Sequence, residues 1–320
     1  MEELIKMNQK IKDYISLARP DNWFKNIFVL PGILIAPFFF EIDFSISVFI
    51  DILITIIACC LTASSNYVVN EILDAETDRH HPVKKNRPLA AGTISKKVAW
   101  IEWIALGIIG VGMSLMVNKY VFYSNLALWI MGCVYNIPPI RSKEIPFIDV
   151  LSESINNPIR LVMGWYATGL TVMPPITAVF AYWMLGAFLM AVKRIAEFKK
   201  IGDPEKAGQY RSTFKFYTAE RLISSSVFYL TLLIMSAMAF VMIYRLELVF
   251  AVPVFALLLS YYLHIGFKPN SPVQYPERLY KEKRLMICVA IFIIHCFLLL
   301  FFVDLPWFEK MFNVLTPMRP

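Results

Sequence analysis

Residues 66–92 read NYVVNEILDAETDRHHPVKKNRPLAAG, and this polar stretch directly follows an apolar run. Asn66, Asn70, Asp74 and Asp78 recur within it at intervals of four residues. On a helix such residues form a ladder along one face that drifts by about 40° per step, because a helix has about 3.6 residues per turn. Two carboxylates and two amides on one stripe are oxygen ligands that suit a hard divalent cation. The stretch therefore predicts a helix with a metal site near its end.

A basic segment follows this ladder and suits the phosphates that a divalent cation would carry. Its cations are Arg79, Lys84, Lys85 and Arg87. Pro82 is expected to end the helix, and residues 87–92 are predicted to form a loop. Two alternatives stay open: a merely solvated charged loop, and a zinc site at His80 and His81. The zinc site is disfavoured because two adjacent histidines rarely bind one ion.

The composition places the chain among polytopic membrane proteins. Of its 320 residues, 58% are hydrophobic and only 17% are charged, and the mean hydropathy is +0.58. A soluble domain of this size exposes far more charge. A bilayer span needs about 20 mostly apolar residues, and nine segments qualify: 27–41, 46–68, 98–117, 121–139, 148–169, 173–192, 222–243, 247–267 and 285–304. We therefore predict an all-α membrane domain that covers residues 1–320.

The charges between the predicted spans indicate the orientation. Lys and Arg are concentrated in alternate connections, at 1–26, 71–97, 141–143, 193–221 and 268–284, and the other connections are nearly bare. With nine spans, every basic segment lies on one side, which the positive-inside rule makes cytoplasmic. We expect a multi-pass protein of the cell membrane with the N-terminus and the ladder inside and the C-terminus outside. The net charge of +7 is explained by these loops, so nucleic-acid binding is not predicted.

Residues 1–18 are charged and helical in pattern, and they predict an amphipathic helix on the cytoplasmic membrane surface. Arg19 and Lys25 follow, with an aromatic residue between them. They are read either as an interfacial anchor or as cations that face the same phosphates as the ladder. Tyr135 and Arg141, at the end of the fourth predicted span, are candidates for the same side of the membrane.

The fifth predicted span contains polar residues that are costly in a bilayer. Asp149, Glu153 and Asn157 fall at intervals of four, with Asn156 and Arg160 beside them. Charges at such depth normally face a cavity or one another. The set is therefore read as a substrate site, or alternatively as a structural clamp between helices, formed either by Glu153 and Arg160 or by an asparagine. Pro158 is expected to kink this span.

Lys193 and Arg194 follow the sixth predicted span directly. We expect them at the level of Asp74 and Asp78, where they can contact phosphate. The alternative is a surface ion pair between Lys193 and Glu197, which are four residues apart. The long connection that follows is helical in pattern and is a candidate lid.

These motifs resemble a known family. Asn70, Asp74 and Asp78, followed by RPLAAG at 87–92, resemble the first aspartate motif of the UbiA superfamily of intramembrane prenyltransferases. The resemblance extends over nearly the whole chain. It implies nine helices around a central cavity, with a cap of cytoplasmic loops. Glu71 stands where the family usually has aspartate, and the segment that begins at Tyr135 looks like generic members.

Within the superfamily, the chain looks most like the decaprenyl-phosphate phosphoribosyltransferase branch. The shared segments are RPDNWFKN at 19–26, DRHHPVKKNRP at 78–88 and KRIAE at 193–197, with Arg211 and Tyr217-Thr218 later. Other members usually carry a second Asp-x-x-x-Asp in that later loop, but here Asp203 stands alone.

The resemblance implies transfer of a phosphoribosyl group from 5-phosphoribosyl 1-diphosphate to a polyprenyl phosphate, with release of diphosphate. Asn70, Asp74 and Asp78 would hold Mg²⁺ and form the catalytic set. The residues expected to bind substrate are Arg19, Lys25, Asn66, Lys84, Arg87, Tyr135, Arg141, Glu153, Asn157, Arg160, Lys193 and Arg194. The alternative is transfer of a prenyl group from its diphosphate to an aromatic or other acceptor. A transporter or lipid-binding membrane protein is a third class, which would show no metal dependence.

Overall fold

The computed structural model describes residues 2–79, 84–202, 208 and 211–313, and the regular elements in these ranges are helices. The predicted break at Pro82 and the pair His80–His81 lie outside the described residues. The chain divides into two units, Met1–Pro174 with Asp203–Tyr217, and Pro175–Gly202 with Thr218–Pro320. All the residues of the predicted ladder belong to the first unit.

The first unit contains eight α-helices within its described residues. They are α1 (Glu2–Leu17), α2 (Leu30–Phe39), α3 (Ile46–Asp78), α4 (Pro88–Ala91), α5 (Lys96–Met113), α6 (Lys119–Asn136), α7 (Ile148–Ser154) and α8 (Asn156–Ala167). Short 3₁₀ segments connect some of them, and two are important below: Pro20–Val29 and Ser142–Glu144.

Helix α3 extends from the apolar core into the polar stretch without interruption over 33 residues. Its apolar face near the end packs with α1, α4 and α5, in a cluster that includes Leu17, Ile72 and Leu89. This packing stabilises the helix beyond the predicted span that ends at residue 68. The helix predicted for the ladder is therefore confirmed, and it ends at Asp78.

Helices α2 and α8 approach each other closely at two glycines. A Cβ atom added to Gly32 would lie 1.9 Å from the backbone oxygen of Leu161, and one added to Gly164 would lie 2.0 Å from that of Val29. Small residues allow such backbone contact between helices in membranes, where dispersion rather than the hydrophobic effect stabilises packing. These glycines fix the position of α8, which carries Arg160.

We expect Gly32→Ala to destabilise the protein by about 2 kcal/mol, because the methyl group would meet backbone atoms that cannot rotate away. Gly112→Ala is the matched control. Gly112 lies inside α5 and a Cβ there would meet nothing within 4 Å, so the helix propensity of alanine predicts a gain of about 0.5–1 kcal/mol. Thermal unfolding in detergent measures both variants. Equal midpoints for the two would contradict the close packing of α2 and α8.

The fifth predicted span, 148–169, consists of two short helices. Helix α7 ends at Ser154 and α8 begins at Asn156, with Pro158 in its first turn. Proline lacks the N–H that would continue the hydrogen-bond ladder of α7. The predicted kink at Pro158 thus agrees with an interruption of the helix three residues earlier.

The second unit contains five α-helices within its described residues: α9 (Ile176–Ile201), α10 (Ala219–Tyr244), α11 (Val252–Gly266), α12 (Lys283–Phe301) and α13 (Pro306–Asn313). Helices α9 and α10 form its core, with Phe188 and Tyr229 fully buried. Buried Glu247 pairs with Arg245 at 3.3 Å and accepts a hydrogen bond from the backbone N–H of Leu305.

Seven helical segments of the described residues are long and apolar enough to cross a membrane: Gln9–Phe39, Ile46–Asp78, Lys96–Met116, Ile176–Ile201, Ala219–Tyr244, Leu246–Gly266 and Lys283–Phe301. The predicted spans 121–139 and 148–169 are not among them. Helix α6 has only 18 residues, which include Lys119, Asn125 and Asn136, and α7 and α8 are each shorter. The multi-pass helical class is confirmed, whereas nine spans, the central cavity and the loop cap stay predictions.

Candidate metal and phosphate site

The ladder of α3 faces α6 along its first two steps. Asn66 donates a hydrogen bond to the backbone oxygen of Leu128 at 2.9 Å, and Asn70 donates to Oδ1 of Asn136 at 2.7 Å. Gly132 lies opposite Asn66, and a Cβ there would be only 2.0 Å from the Asn66 side chain. The amides of the ladder are therefore fixed against α6.

Asp74 contacts the turn that follows α6. Nζ of Lys143 donates to Oδ1 of Asp74 at 2.6 Å, and Nη2 of Arg141 donates to the same oxygen at 3.0 Å. Asn70 donates to the other oxygen, Oδ2, at 3.2 Å. Lys143 also donates to Asn136 at 3.1 Å. The carboxylate of Asp74 thus binds two cations that lie almost 70 residues later in the sequence.

Asp78, one turn further along α3, is buried and contacts the basic segment that follows in the sequence. Nη1 of Arg87 donates to Oδ2 of Asp78 at 2.5 Å, and Nζ of Lys84 lies 3.8 Å from Oδ1. Each of the two aspartates of the motif therefore has two cations beside it. Lys84 and Arg87 lie in the connection that follows α3, and Arg141 and Lys143 lie in the connection that follows α6.

Glu71 lies on α3 between these residues and is almost completely buried, with 1% exposure. It accepts a hydrogen bond from Arg19 at 3.2 Å and another from the backbone N–H of Leu89 at 3.2 Å. Glu71 therefore ties the segment before α2 to helix α4. Arg19 also stacks on the ring of Tyr67, with 5.5 Å between Cζ and the ring centroid.

The site contains more cations than carboxylates from α3. Arg19, Lys84, Arg87, Arg141 and Lys143 pair with Glu71, Asp74 and Asp78. Burial lowers the pKa of the Lys143 ammonium from its ordinary value, although the charge of Asp74 acts in the opposite direction. Burial lowers the pKa of Lys84 as well, with Asp78 opposing. Partly desolvated cations of this kind gain most from an added anion.

The donor set of α3 fits Mg²⁺. Asn70, Asp74 and Asp78 present amide and carboxylate oxygens on successive turns of one helix. Mg²⁺ is usually bound through one or two carboxylates and substrate phosphates, and it keeps several waters. In the parts of the chain that the structure describes, no group of three or more His, Cys, Asp or Glu side chains is placed to hold a metal. These residues therefore suit an ion shared with substrate phosphates.

Further polar contacts join α6 to α7, and α8 to the 3₁₀ segment Pro20–Val29. Tyr135 donates a hydrogen bond to Glu153 at 3.1 Å, and Nε of Arg160 donates to Oδ1 of Asn26 at 2.9 Å. Asn157 is half-buried and has no side-chain hydrogen bond to another described residue. The clamp alternative is observed in its asparagine-mediated form, because Arg160 bonds to Asn26 at a distant point of the chain. Among the described ion pairs, a Glu153–Arg160 pair does not occur, and Glu153 accepts a hydrogen bond from Tyr135.

Asp149 is fully buried and holds the end of the connection that precedes α10. Tyr217 donates to Oδ1 of Asp149 at 2.6 Å, and its hydroxyl accepts from the backbone N–H of Phe147 at 2.6 Å. Arg211 lies 4.0 Å from the other oxygen of Asp149. Asp149 thus anchors residues 211–217 to α7 rather than joining a polar stripe with Glu153.

We expect Tyr217→Phe to lower the stability of the protein by about 1–3 kcal/mol, because a buried carboxylate loses a hydrogen-bond donor. The measurement is the thermal unfolding midpoint in detergent, compared with Tyr280→Phe. Tyr280 is 65% exposed, so its hydroxyl should be removed without effect. An unchanged midpoint for Tyr217→Phe would show that the Asp149 contact is not an anchor.

The other cations predicted to bind phosphate are Lys25, Lys193 and Arg194. Lys193 and Arg194 belong to the second unit, where Glu197 lies 3.9 Å from Lys193 and 3.2 Å from Arg194. The surface-pair alternative for Lys193 thus describes an observed contact, although Arg194 is fully buried. Lys25 is half-buried, with its ammonium 5.8 Å from the ring centroid of Phe24. A phosphate role for these three cations stays a prediction.

Sequence reasoning omitted two residues that contact the ladder, Lys143 and Asn136. Both contact Asn70 or Asp74 directly. A sequence signal existed, because Lys143 is two residues after the selected Arg141 and Asn136 follows the selected Tyr135. The sequence does not show which residues of this segment face α3. The fold shows that Asn136 and Lys143 do.

The fold is similar to that of solved UbiA homologues. One neighbour is a UbiA homolog from Archaeoglobus fulgidus bound to GPP and Mg2+, with a TM-score of 0.64 and 24% identity. The match covers 90% of this chain and 99% of that chain. At this identity the likeness shows the fold alone.

Two sequence relatives are decaprenyl-phosphate phosphoribosyltransferases. The one from Corynebacterium glutamicum is 31% identical over 188 residues, which cover 57% of this chain and 54% of the relative. The one from Mycolicibacterium smegmatis is 30% identical over 219 residues, which cover 66% of this chain and 64% of the relative. The chain thus spans between about half and two thirds of the length of these relatives.

The model of the UbiA prenyltransferase family matches residues 27–280. This match includes the ladder of α3, the turn after α6 and helices of both units, and it covers well over half of the chain. On this match, the chain belongs to the UbiA prenyltransferase family.

Proposed function

We propose that this protein is a Mg²⁺-dependent intramembrane transferase that moves a phosphoribosyl group from 5-phosphoribosyl 1-diphosphate to a polyprenyl phosphate. The observation that carries the proposal is the arrangement of Asp74 and Asp78, each beside two cations, at the polar end of a membrane-length helix. Carboxylates that can hold Mg²⁺ and cations that can hold phosphate are both needed to bind a diphosphate.

In this proposal, Asn70, Asp74 and Asp78 hold Mg²⁺, and the catalytic set is these three residues. The bound ion would supply a Lewis acid that neutralises charge on the leaving diphosphate. Arg141, Lys143, Lys84 and Arg87 would then exchange their carboxylate contacts for phosphate oxygens. Each of these cations would thereby keep an opposite charge beside it, on a phosphate instead of a carboxylate.

The chemical step breaks the bond between ribose C1 and the diphosphate oxygen, and the electron pair leaves with the diphosphate. An oxygen of the lipid phosphate forms the new bond to C1. That oxygen is already ionised, so the step needs no general base. The cations beside Asp74 and Asp78 act by stabilising the negative charge that develops on the leaving group.

Other predicted residues are assigned to substrate binding in the same proposal. Arg19 and Lys25 would contact the donor from the segment before α2. Lys193 and Arg194 are also assigned to the binding of a substrate phosphate. Asn66 would orient Asn70 through the shared face of α3. Tyr135, Glu153, Asn157 and Arg160 would contact substrate from α6, α7 and α8.

The phosphoribosyl donor is preferred on three grounds. The relatives from Corynebacterium glutamicum and Mycolicibacterium smegmatis carry the name of this activity. The site described in the first unit is also rich in cations, which suits a donor with a 5-phosphate in addition to its diphosphate. The connection after α9 has Asp203 alone where a second aspartate motif is usual in the family resemblance.

The decisive experiment compares two reaction mixtures with purified protein and Mg²⁺. One contains 5-phosphoribosyl 1-diphosphate and polyprenyl phosphate, and the other contains a prenyl diphosphate and a 4-hydroxybenzoate-type acceptor. Diphosphate release is measured in both. We expect release in the first mixture only, and release in the second mixture only would sink the proposal.

The second candidate is prenyl transfer to an aromatic or other acceptor. It is favoured by one observation, that the Archaeoglobus fulgidus neighbour was solved with GPP and Mg2+. Asp74 and Asp78 serve either reaction, because both begin with departure of a diphosphate. The donor assay above therefore separates the candidates, whereas substitution of the aspartates does not.

We also propose that the N-terminus and the site face the cytoplasm and that the C-terminus lies outside. The support is the concentration of Lys and Arg in alternate connections, which the positive-inside rule places inside. Cysteine labelling tests it. A membrane-impermeant reagent applied to intact cells should label a cysteine introduced at Lys310 and leave one introduced at Lys97 unlabelled, and the reverse pattern would contradict the orientation.

A further inference from the structure

Arg160 is a buried cation without a carboxylate partner in the described chain. Its exposure is 9%. Nε donates to Oδ1 of Asn26 at 2.9 Å, and Nη1 donates to the backbone oxygen of Asn156 at 3.2 Å. Both acceptors are neutral. Arg160 forms no ion pair with any residue that the structure describes.

The surroundings of Arg160 make an uncompensated charge costly. Asn26 also contacts the thiols of Cys59 and Cys60, and those two residues lie in the membrane-length helix α3. A guanidinium in such surroundings normally pairs with an anion or faces a cavity. The two hydrogen bonds described for Arg160 use Nε and Nη1, which leaves Nη2 for a ligand.

Residues of α3 that lie near Arg160 show where Arg160 is located relative to the aspartates. Tyr67 lies within electrostatic range of both Arg160 and Arg19, and Arg19 pairs with Glu71. Tyr67 precedes Asp74 by seven residues, which corresponds to about 10 Å along the helix axis. Asn26, which binds Arg160, contacts Cys59 and Cys60 further back on the same helix. Arg160 therefore lies beside the part of α3 that precedes the aspartates.

We propose that Arg160 binds the phosphate of the polyprenyl phosphate acceptor. The inference rests on the proposed function and adds the substrate that this residue recognises. The lipid phosphate supplies the missing counter-charge to the guanidinium, and Asn26 orients the guanidinium through Nε. The lipid tail would extend from this point between apolar helices. Donor and acceptor would thus be held by different cations, and the acceptor oxygen would face ribose C1.

The test is the binding of a polyprenyl monophosphate to the protein in nanodiscs without donor or Mg²⁺, compared with the polyprenol of the same length. Wild type should bind the monophosphate and not the alcohol. Arg160→Gln should weaken binding of the monophosphate by about 10- to 100-fold, the range expected for lost charge-assisted hydrogen bonds. Binding of 5-phosphoribosyl 1-diphosphate with Mg²⁺, measured in parallel, should change less than about threefold.

A second variant guards against misfolding of Arg160→Gln. Asn26→Asp keeps the guanidinium and the shape of its partner but places a carboxylate on Nε, so it should weaken binding of the monophosphate similarly. Lys119→Gln is the control, because Lys119 is exposed at the opposite end of α6 from Asn136. It should bind like wild type.

The outcomes are distinguishable. Equal affinity of wild type, Arg160→Gln and Asn26→Asp for the monophosphate would overturn the role of Arg160 and leave the proposed function standing. A loss confined to donor binding would overturn the lipid assignment in favour of the 5-phosphate. Failure of wild type itself to bind the monophosphate would overturn the proposed function, and this inference with it.

Discussion

Asp74→Asn is expected to reduce the rate of group transfer by about a thousandfold, equivalent to about 4 kcal/mol of transition-state stabilisation. The substitution keeps the shape of the side chain but removes the charge that Asn70, Arg141 and Lys143 surround. The site loses a metal ligand, and the two cations lose the carboxylate that fixes them. The measurement is the initial rate of diphosphate release over a range of Mg²⁺ concentrations.

Glu76→Gln is the matched control for this variant. Glu76 lies on the same helix between the two aspartates, but its side chain is 73% exposed, and its ion pair within the described ranges is with Arg79. Its replacement should leave the rate and the Mg²⁺ dependence unchanged. If Asp74→Asn retained full activity while folding normally, Asp74 could not be a ligand of an essential metal. An equal loss in both variants would indicate a general effect on α3.

Lys143→Gln is expected to raise the KM for the diphosphate donor by about 10- to 100-fold, with a smaller effect on the KM for the acceptor. The ammonium of Lys143 is the nearest cation to Asp74, at 2.6 Å. A charge-assisted contact to phosphate is worth about 1.5–3 kcal/mol. Steady-state kinetics with each substrate varied in turn checks the prediction.

Lys97→Gln is the control for Lys143→Gln, because Lys97 is an exposed lysine in the first turn of α5. It should leave both KM values unchanged. An acceptor effect of Lys143→Gln that exceeded the donor effect would contradict the assignment of this turn to the diphosphate.

The pH dependence of donor binding gives a further test of Lys143. Burial lowers the pKa of its ammonium, so its charge is lost at a lower pH than that of an ordinary lysine. Donor affinity should therefore weaken as pH rises toward that pKa. In Lys143→Arg the guanidinium stays charged, so the weakening should move to higher pH. The KM for the donor, measured from neutral to alkaline pH, shows whether it does.

The helix that carries the site was predictable because its signal is local. Asn66, Asn70, Asp74 and Asp78 are related by the period of one helix, and that relation does not depend on the rest of the fold. The apolar run before them and the basic segment after them are equally local. Sequence reasoning therefore placed the predicted metal ligands on one helix, α3, although it ended the predicted span ten residues before the helix ends.

The contacts made by that face were less predictable, since they join distant parts of the chain. Asp74 and Lys143 are separated by 69 residues, and Asn26 and Arg160 by 134 residues. No sequence period relates such pairs. The hypothesis of a clamp at Arg160 named two partners, Glu153, which is seven residues away, or an asparagine. Among the described contacts Arg160 bonds to Asn26, and the sequence does not indicate which asparagine that is.

The number of spans shows a similar limit. Hydropathy identified seven segments that the structure also presents as membrane-length helices. It treated 148–169 as one more, whereas α7 ends at Ser154. The polar residues of that region serve specific partners, such as Tyr217 at Asp149, and a sliding average of hydropathy does not distinguish a continuous span from two short packed helices.

A structure of the protein in nanodiscs with Mn²⁺ in place of Mg²⁺ and with 5-phosphoribosyl 1-diphosphate tests the role of the α3 aspartates most directly. We predict a Mn²⁺ ion bound by Asp74 or Asp78 and by the diphosphate, with Lys143 and Arg141 turned from Asp74 to phosphate oxygens. If both aspartates kept their present ion pairs, and the diphosphate and Mn²⁺ bound elsewhere or not at all, these aspartates would not form the donor site.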